Sequence, residues 1–341
     1  MLQAAEASIA AAARAGNLAL ELRALTGKVQ ALTIMGARAA AQQTVEEMLV
    51  KAQGNVDDVV RDYALGDIAF FYIESGDLAR AIQLMRQGAQ GARKAGDRQK
   101  ESSFDANLGY TYSRLGLYAQ ARTVLEAGLE LAEVIGDRRL QARHLINLGI
   151  VRWRCGDLES ARQLEERALH DNSATSDPYG EAANLACLGY ILEEMGNPTA
   201  AIEYLRKACA GYARIEMDVN RIEAQAALSR CLQATGRQAE ARQLAAEAWE
   251  YLRSHGADGM DSTTWAYGCI IDVLDAIDIP ERFALLSDVI ELGNRELMRN
   301  ADKISDAEWR RSYLENVTEN RAMMDRWNER DKIIKQAFTP M

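Results

Sequence analysis

The sequence predicts an all-α fold: a right-handed superhelical solenoid of antiparallel helix pairs. Three observations predict it. Glycine recurs every 40 residues, at Gly36, Gly76, Gly116, Gly156, Gly196 and Gly236. Five residues after each stands an alanine, at Ala41, Ala81, Ala121, Ala161, Ala201 and Ala241. Between them the apolar residues follow helical spacing, and no stretch alternates with period two for long enough to form a strand. At a glycine frequency of roughly 7%, six glycines in one fixed register arise by chance about once in ~10⁷. A period of this length marks a repeat solenoid built from one supersecondary unit.

The elements follow in order. Residues 1–17 form an orphan N-terminal helix, running from Leu2 to Ala15 and ending at Gly16-Asn17, in the register of the second helix of a repeat. An Ala-rich second helix without its partner leaves apolar surface open, which favours a fragment of a longer protein over a lone cap. Residues 18–256 carry the 40-residue repeats. In one unit, Phe104, Leu108, Tyr112 and Leu115 form the stripe of a first helix over 102–115. Gly116 makes the tight turn. A second helix follows, with Ala121, Val124, Leu125, Leu129 and Leu131 inward, and ends at Gly136-Asp137, where glycine suits a C-cap and aspartate caps the next helix. Gly96-Asp97 repeats that pair.

The alanine is small because two helices joined by a short turn approach closely there. Gly109, Gly149 and Gly189, each seven residues before a turn glycine, serve the same approach, and Ser229 keeps the position small. Residues 257–300 read as a degenerate repeat: a weaker first helix over Asp258 to Ile277, Pro280 near the start of a second, and Glu281 to Asn300 completing it. Residues 301–341 read as a capping helix and tail. Ser305-Asp306-Ala307-Glu308 is a capping box opening the last helix. Arg321, Arg326, Arg330, Lys332 and Lys335 give that helix the look of a solvated cap.

Leu108, Gly109, Tyr112, Ala121 and Leu125 resemble the tetratricopeptide repeat. So do Leu148, Gly149, Ala161 and Ala168; Leu188, Gly189, Leu192, Ala201, Leu205 and Ala208; and Leu228, Leu232, Ala241 and Ala248. The usual repeat has 34 residues. The longer unit, with Asn107-Leu108-Gly109, is similar to the 40-residue variety of kinesin light chains, spindle-orientation adaptors and bacterial signalling regulators. The resemblance covers residues 18–256 well and the rest loosely. The string from Trp309 to Val317 resembles the closing segment of repeat regions attached to bacterial regulatory ATPases and some nucleotide cyclases.

Composition narrows the function. A formal charge of −10 argues against nucleic acid as partner, since phosphate binding needs a basic stripe. Cys155, Cys187, Cys209, Cys231 and Cys269 show no C-x-x-C and no metal spacing, which suits a reducing cytoplasm. No signal peptide or membrane-spanning apolar stretch is present. His144, His170 and His255 fall at unrelated places in different repeats, and no phosphate loop or nucleophile elbow appears. Glu165-Glu166 and Glu193-Glu194 read as solvated acidic pairs. The expectation is a protein that is not an enzyme and takes no cofactor or metal.

The resemblance places the first helices on the concave groove, and the residue after each small helix-packing position then faces it. These are Phe70, Tyr110, Ile150, Tyr190 and Arg230, again 40 apart. Aromatic side chains there bury large area at little rotamer cost and make good anchors; core packing against the next repeat is the competing reading. Asn107 and Asn147 precede Leu-Gly in successive repeats. In the resembling proteins an asparagine there holds the backbone of a bound extended segment, its amide serving as both donor and acceptor; a local tie between adjacent helices is the alternative. The pattern lapses at Cys187 and Ala227. Trp153, between Arg152 and Arg154, is either a ligand-stacking group or a half-buried aromatic under two long arginines.

The sequence therefore points to a non-enzymatic scaffold binding a protein or peptide segment in its concave groove, with no nucleic-acid or membrane partner. The alternative is the sensor region of a larger bacterial signalling protein, a STAND-type ATPase, transcription activator or nucleotide cyclase. This chain would then be the C-terminal fragment, and its missing N-terminal domain the partner.

Overall fold

A computed structural model describes residues 2–35, 37–54, 56–175, 177–277 and 281–337. Gly36 and Pro280 lie outside the described residues, as do the side chains of Lys332 and Lys335. The described residues form an all-α repeat solenoid. Helix α1 (Leu2–Arg14) packs on α2 (Leu18–Ile34), which pairs with α3 (Arg38–Ala52). Four pairs follow: α4 (Asp58–Glu74) with α5 (Leu78–Ala95), α6 (Arg98–Arg114) with α7 (Tyr118–Ile135), α8 (Arg138–Arg154) with α9 (Leu158–Thr175), and α10 (Pro178–Glu194) with α11 (Pro198–Arg214). After α12 (Asp218–Ala234) and α13 (Gln238–His255) come α14 (Thr263–Asp275), α15 (Arg282–Ala301), α16 (Ala307–Glu315) and α17 (Thr318–Ala337).

The period is visible in the backbone. First helices start at residues 18, 58, 98, 138, 178 and 218. Gly76, Gly116, Gly156, Gly196 and Gly236 take φ between 71° and 81°, the left-handed region that ends a helix at no steric cost. Caps are more regular than the two Gly-Asp pairs predict: Asn17, Asp77, Asp97, Asp137, Asp157 and Asn197 each follow a left-handed glycine, and each accepts the backbone N–H three residues on. Between α11 and α12 the left-handed position falls to an exposed residue, Glu216 (φ 59°).

Ala41, Ala81, Ala121, Ala161, Ala201 and Ala241 are fully buried, as the close approach requires. Gly109 and Gly189 serve a different contact from the one expected. A Cβ there would lie 2.3 Å from Leu125 and 2.5 Å from Leu205, so each glycine seats a leucine of the second helix, not the alanine. Gly149 seats Glu165 in the same way. That carboxyl is fully buried where the neighbouring repeats carry Leu125 and Leu205, and Asn184 donates to it at 2.6 Å. Glu165 is therefore a core group, whereas Glu166 ion-pairs with Arg162 at the surface.

The period breaks after α13. The next first helix, α14, begins at Thr263, five residues later than the 258 demanded by the repeat. Residues 256–262 form an irregular strap, with Gly256 at φ 77° and Gly259 at φ 82°. The last helix also differs from expectation. Asp306, not Ser305, accepts from the Trp309 N–H, and α16 stops at Glu315 before α17 begins. Two of the three arginines of α17 are not free in solvent: Arg326 pairs with Asp272 at 2.5 Å and Arg330 with Glu291, pinning α17 to α14 and α15, while Arg321 is exposed as expected.

The C-terminal elements fold back onto the early repeats. Lys303 donates to the Ser75 carbonyl, and Asn316 to the Gly116 carbonyl at 3.4 Å. Asp258 ion-pairs with both Arg38 and Arg299. Ile304, 3% exposed, joins the core of the early repeats beside Leu108 and Leu115. The ends of the solenoid thus approach each other, and its concave groove becomes a deep, partly open cavity.

Candidate functional site

The cavity has a volume of about 570 Å³. Its wall is built from the inner faces of α4, α6, α8, α10 and α12, closed by the strap, α14, α16 and α17. Four rows of side chains explain most of the wall, because residues at i, i+4, i+7 and i+11 share one helix face. On α8 these are Arg143, Asn147, Ile150 and Arg154; on α6, Ser103, Asn107, Tyr110 and Arg114. Helix α4 contributes Asp67, Phe70 and Glu74, and α10 contributes Ala183, Cys187 and Tyr190.

Seven of the eight residues singled out from the sequence line this space: Phe70, Asn107, Tyr110, Asn147, Ile150, Trp153 and Tyr190. Arg230 is not on the wall. It ion-pairs with Glu193 at 2.7 Å and Asp272 at 3.3 Å and lies over the Trp265 ring. The others are engaged to different degrees. Asn147 donates to the Ala106 carbonyl at 3.0 Å, tying α8 to α6, while Asn107 accepts from Arg143 at 2.5 Å. The Tyr110 hydroxyl donates to Asp261 of the strap. Trp153 and Tyr190 stack at 5.6 Å, and Trp265 meets them edge-on at 5.4 and 5.7 Å. With Arg154 over its ring at 3.9 Å, Trp153 is only 5% exposed. This trio is a wall, not an open anchor; Phe70 and Ile150 are half-buried.

The repeat register hides several lining groups that the Asn and aromatic rows do not predict. Arg143 and Arg114 stand one helical turn to either side of those rows, so the register itself was the signal. Trp265 and Asp261 had none, because they follow the break in period. Tyr179 projects from the first turn of α10 with 42% of its surface exposed.

The electrostatics divide the cavity. At the strap, Glu223 accepts the backbone N–H groups of Asp261 and Ser262 at 3.1 and 3.3 Å. Burial, then the Asp261 charge, pushes its carboxyl up to about 8. Glu74 is pushed up to about 7 by the same two causes. Across the cavity, burial and then neighbouring Arg139 hold Arg143 below the usual guanidinium range. His144, behind the wall with Ser102 Oγ at 2.9 Å, is lowered to about 4 by burial and by Arg143.

These shifts set a pH dependence. A carboxyl raised above its unfolded value of about 4.3 binds its proton more tightly when folded, so its contribution is complete below that value and is lost as pH climbs through the folded one. Glu223, Glu74 and the buried Glu165, also raised, all slope this way, whereas His144 slopes oppositely only below about pH 6.5. Thermal stability should therefore fall between pH 6.5 and 8.5, by up to ~1.4 kcal/mol per pH unit for each group. Glu223→Gln should flatten part of that slope. A flat wild-type profile, or an unchanged slope in the variant, would refute the assignment.

Among the described residues no group of three or more His, Cys, Asp or Glu is placed to hold a metal ion, and no helix is long and apolar enough to cross a membrane. Residues 100–170, 187–210 and 222–247 match the tetratricopeptide repeat. No curated protein matches the chain in sequence. Several solved structures match nearly all of it in fold. A Rap protein complexed with competence and sporulation factor has 14% identity and a TM-score of 0.65, over 93% of this chain and 87% of that one. NprR in complex with its cognate peptide NprX has 15% identity and a TM-score of 0.58, over 90% and 87%. A signal transduction ATPase with numerous domains from Pyrococcus horikoshii, which carries a tetratricopeptide repeat sensor, has 16% identity and a TM-score of 0.57, over 94% of this chain and 49% of that one. At such identities the likeness is one of fold.

Proposed function

We propose that this chain, a tetratricopeptide-repeat protein by the match of residues 100–170, 187–210 and 222–247, is a non-enzymatic regulator that receives a short extended peptide in its central cavity. The observation that carries this reading is the enclosure of about 570 Å³ by helix faces bearing both amides and apolar groups. A peptide needs both: side-chain amides satisfy its backbone, and apolar surfaces take its side chains. Asn107 and Asn147 would hold backbone; among the described residues Asn107 uses only its Oδ1 and Asn147 only its Nδ2. Phe70, Ile150 and the ring face of Tyr110 would take apolar side chains. Two of the similar folds were solved as complexes, the Rap protein with competence and sporulation factor and NprR with its cognate peptide.

The test is affinity selection from a random hexapeptide pool, read by mass spectrometry after gel filtration. A defined subset should co-elute with the protein. Ile150→Trp, which pushes an indole into the cavity, should lower that capture at least tenfold, about 1.4 kcal/mol, while helicity is kept. Retention of no peptide by the wild type, or of the same set by the variant, would remove the reading.

A second reading, the sensor part of a larger signalling protein, is favoured by the match to about half of the Pyrococcus horikoshii ATPase. The upstream reading frame distinguishes the two: an in-frame nucleotide-binding or cyclase domain supports the second, and a stop codon removes it.

A further inference from the structure

The groove stops one helix early. Two of its inner rows run 40 residues apart, through Asn107, Asn147 and Cys187 and through Tyr110, Ile150 and Tyr190, and all six line the cavity. The next members of those rows, on α12, are Ala227 and Arg230. Neither is on the wall, although Asn220 and Glu223 of the same helix are. Ala227 is fully buried, and Arg230 is drawn to Glu193 and Asp272. Trp265 stands on the cavity side of Arg230: it lines the space from the first turn of α14, and the Arg230 guanidinium lies over its ring at 4.3 Å. The indole also meets Trp153 and Tyr190 edge-on at 5.4 and 5.7 Å. It has no counterpart in the repeats, because α14 follows the break in period. The residues of α14 that keep the 40-residue register, Tyr267 and Ile270, are fully buried in the core instead. Core packing alone does not account for a tryptophan here. A buried indole N–H normally finds an acceptor, yet Trp265 Nε1 has none among the described residues. A leucine or phenylalanine would pack against the same neighbours without leaving a donor unmatched.

We infer that Trp265 is a specificity-determining stop, which ends the groove at α10 and limits how far a bound peptide reaches towards α12. The side chain suits the task. A broad rigid ring with two torsions, braced by two aromatic edges and a cation over its face, does not yield to an incoming ligand. Without the indole, Ala227 and Arg230 would join the wall. The groove would then gain one helix spacing, about 8–10 Å. At about 3.3 Å per residue that is room for roughly three more residues of an extended peptide.

The inference rests on the peptide-binding reading, and one experiment separates the two. Hexapeptides that the wild type retains from the random pool are made in three forms: as selected, with Gly-Gly-Gly added at the N-terminus, and with Gly-Gly-Gly added at the C-terminus. One of the two extensions should lower wild-type capture at least tenfold, because that end abuts Trp265. The readout is the ratio of extended to unextended capture, which a general loss of stability does not move. Trp265→Ala should raise that ratio at least tenfold for the blocked end. Trp265→Leu, which keeps an apolar side chain in the core, should raise it severalfold and serves if the alanine variant does not fold. In the wild type itself, a benzophenone on the blocked terminus should crosslink to α10, α12 or α14. Tolerance of both extensions by the wild type, a ratio unchanged in both variants, or labelling confined to α4 and α6 overturns the stop while leaving peptide binding standing. Retention of no hexapeptide by the wild type overturns both.

Discussion

Replacing Gly66 with valine is expected to destabilise the early repeats by roughly 3 kcal/mol or more, at the upper end for overpacked cores. A Cβ at Gly66 would lie 2.5 Å from the Phe104 ring and 2.9 Å from the Gly88 Cα. Gly88 meets the same ring and the Gly66 Cα in turn, so α4 and α5 touch backbone to backbone, with Phe104 from the next repeat laid across the crossing. Phe104 is 2% exposed and has nowhere to swing, and the backbone contact cannot be relieved by any rotamer. The matching control is Gly27→Ala on α2. Nothing lies within 4 Å of a Cβ there, so the change should stabilise by about 0.5–1 kcal/mol through helix propensity and unfolded-state entropy. Urea unfolding gives both signs. In a solenoid each repeat contacts mainly its neighbours, so hydrogen exchange in the Gly66→Val protein should quicken first over α4 to α6. Uniform loss from α4 to α15 would contradict this local account.

The same contrast explains how much of the molecule was legible. Turn glycines and alanines repeat because each copy solves the same packing problem, so period and helix pairing could be read from residue identity alone. Within the cavity, the rows through Asn107 and Tyr110 were visible because they hold chemically similar residues in neighbouring repeats. The rows one turn away hold Ser103, Arg143 and Ala183 on one side and Glu74, Arg114 and Arg154 on the other. Apart from the pair Arg114 and Arg154, no shared residue type marks them, and the i, i+4, i+7, i+11 geometry of the face is what reveals them. Gly109 and Gly149 looked alike in sequence, yet one seats Leu125 and the other Glu165. That difference lies sixteen residues away on the partner helix.

Closure of the groove was not legible at all. It depends on contacts across roughly 40 to more than 200 residues, from Ser75 with Lys303 to Glu223 with the strap. The strap has no repeat equivalent to compare with. Its nearest sequence mark is a shift of phase: Gly256 keeps the register of Gly96 and Gly136, but α14 starts five residues late and Gly259 stands where a first helical turn was due. The apparent solvated arginines of the last helix misled for a related reason. Spacing on one helix shows which residues share a face, but the acids that meet Arg326 and Arg330 belong to other helices.

Glu319→Gln should release that closure. Glu319 stands in the first turn of α17 and meets Arg154 at 2.6 Å, with 7% and 11% of the two side chains exposed. Its Oε1 also accepts the Ser262 hydroxyl at 2.7 Å, so one carboxylate joins α8, the strap and α17. Breaking a buried ion pair from one side costs about 3–5 kcal/mol, because the remaining charge has lost its partner without returning to water. Here that charge is Arg154, held over the Trp153 ring at 3.9 Å. The cheapest relief is for α17 and the strap to lift away and let water reach the guanidinium. Amide exchange in α16, α17 and residues 257–263 should then speed up by ~10² or more, at tenfold per 1.4 kcal/mol, while α10 and α11 change little. Arg154→Met with Glu319→Leu should restore much of the protection, since a matched apolar pair leaves no orphan charge. If the single variant loses stability with no preferential opening of α17, Glu319 is an ordinary core contact. If α17 opens and peptide capture falls with it, the closing elements are part of the binding site, and the cavity exists only while this carboxylate holds them in place.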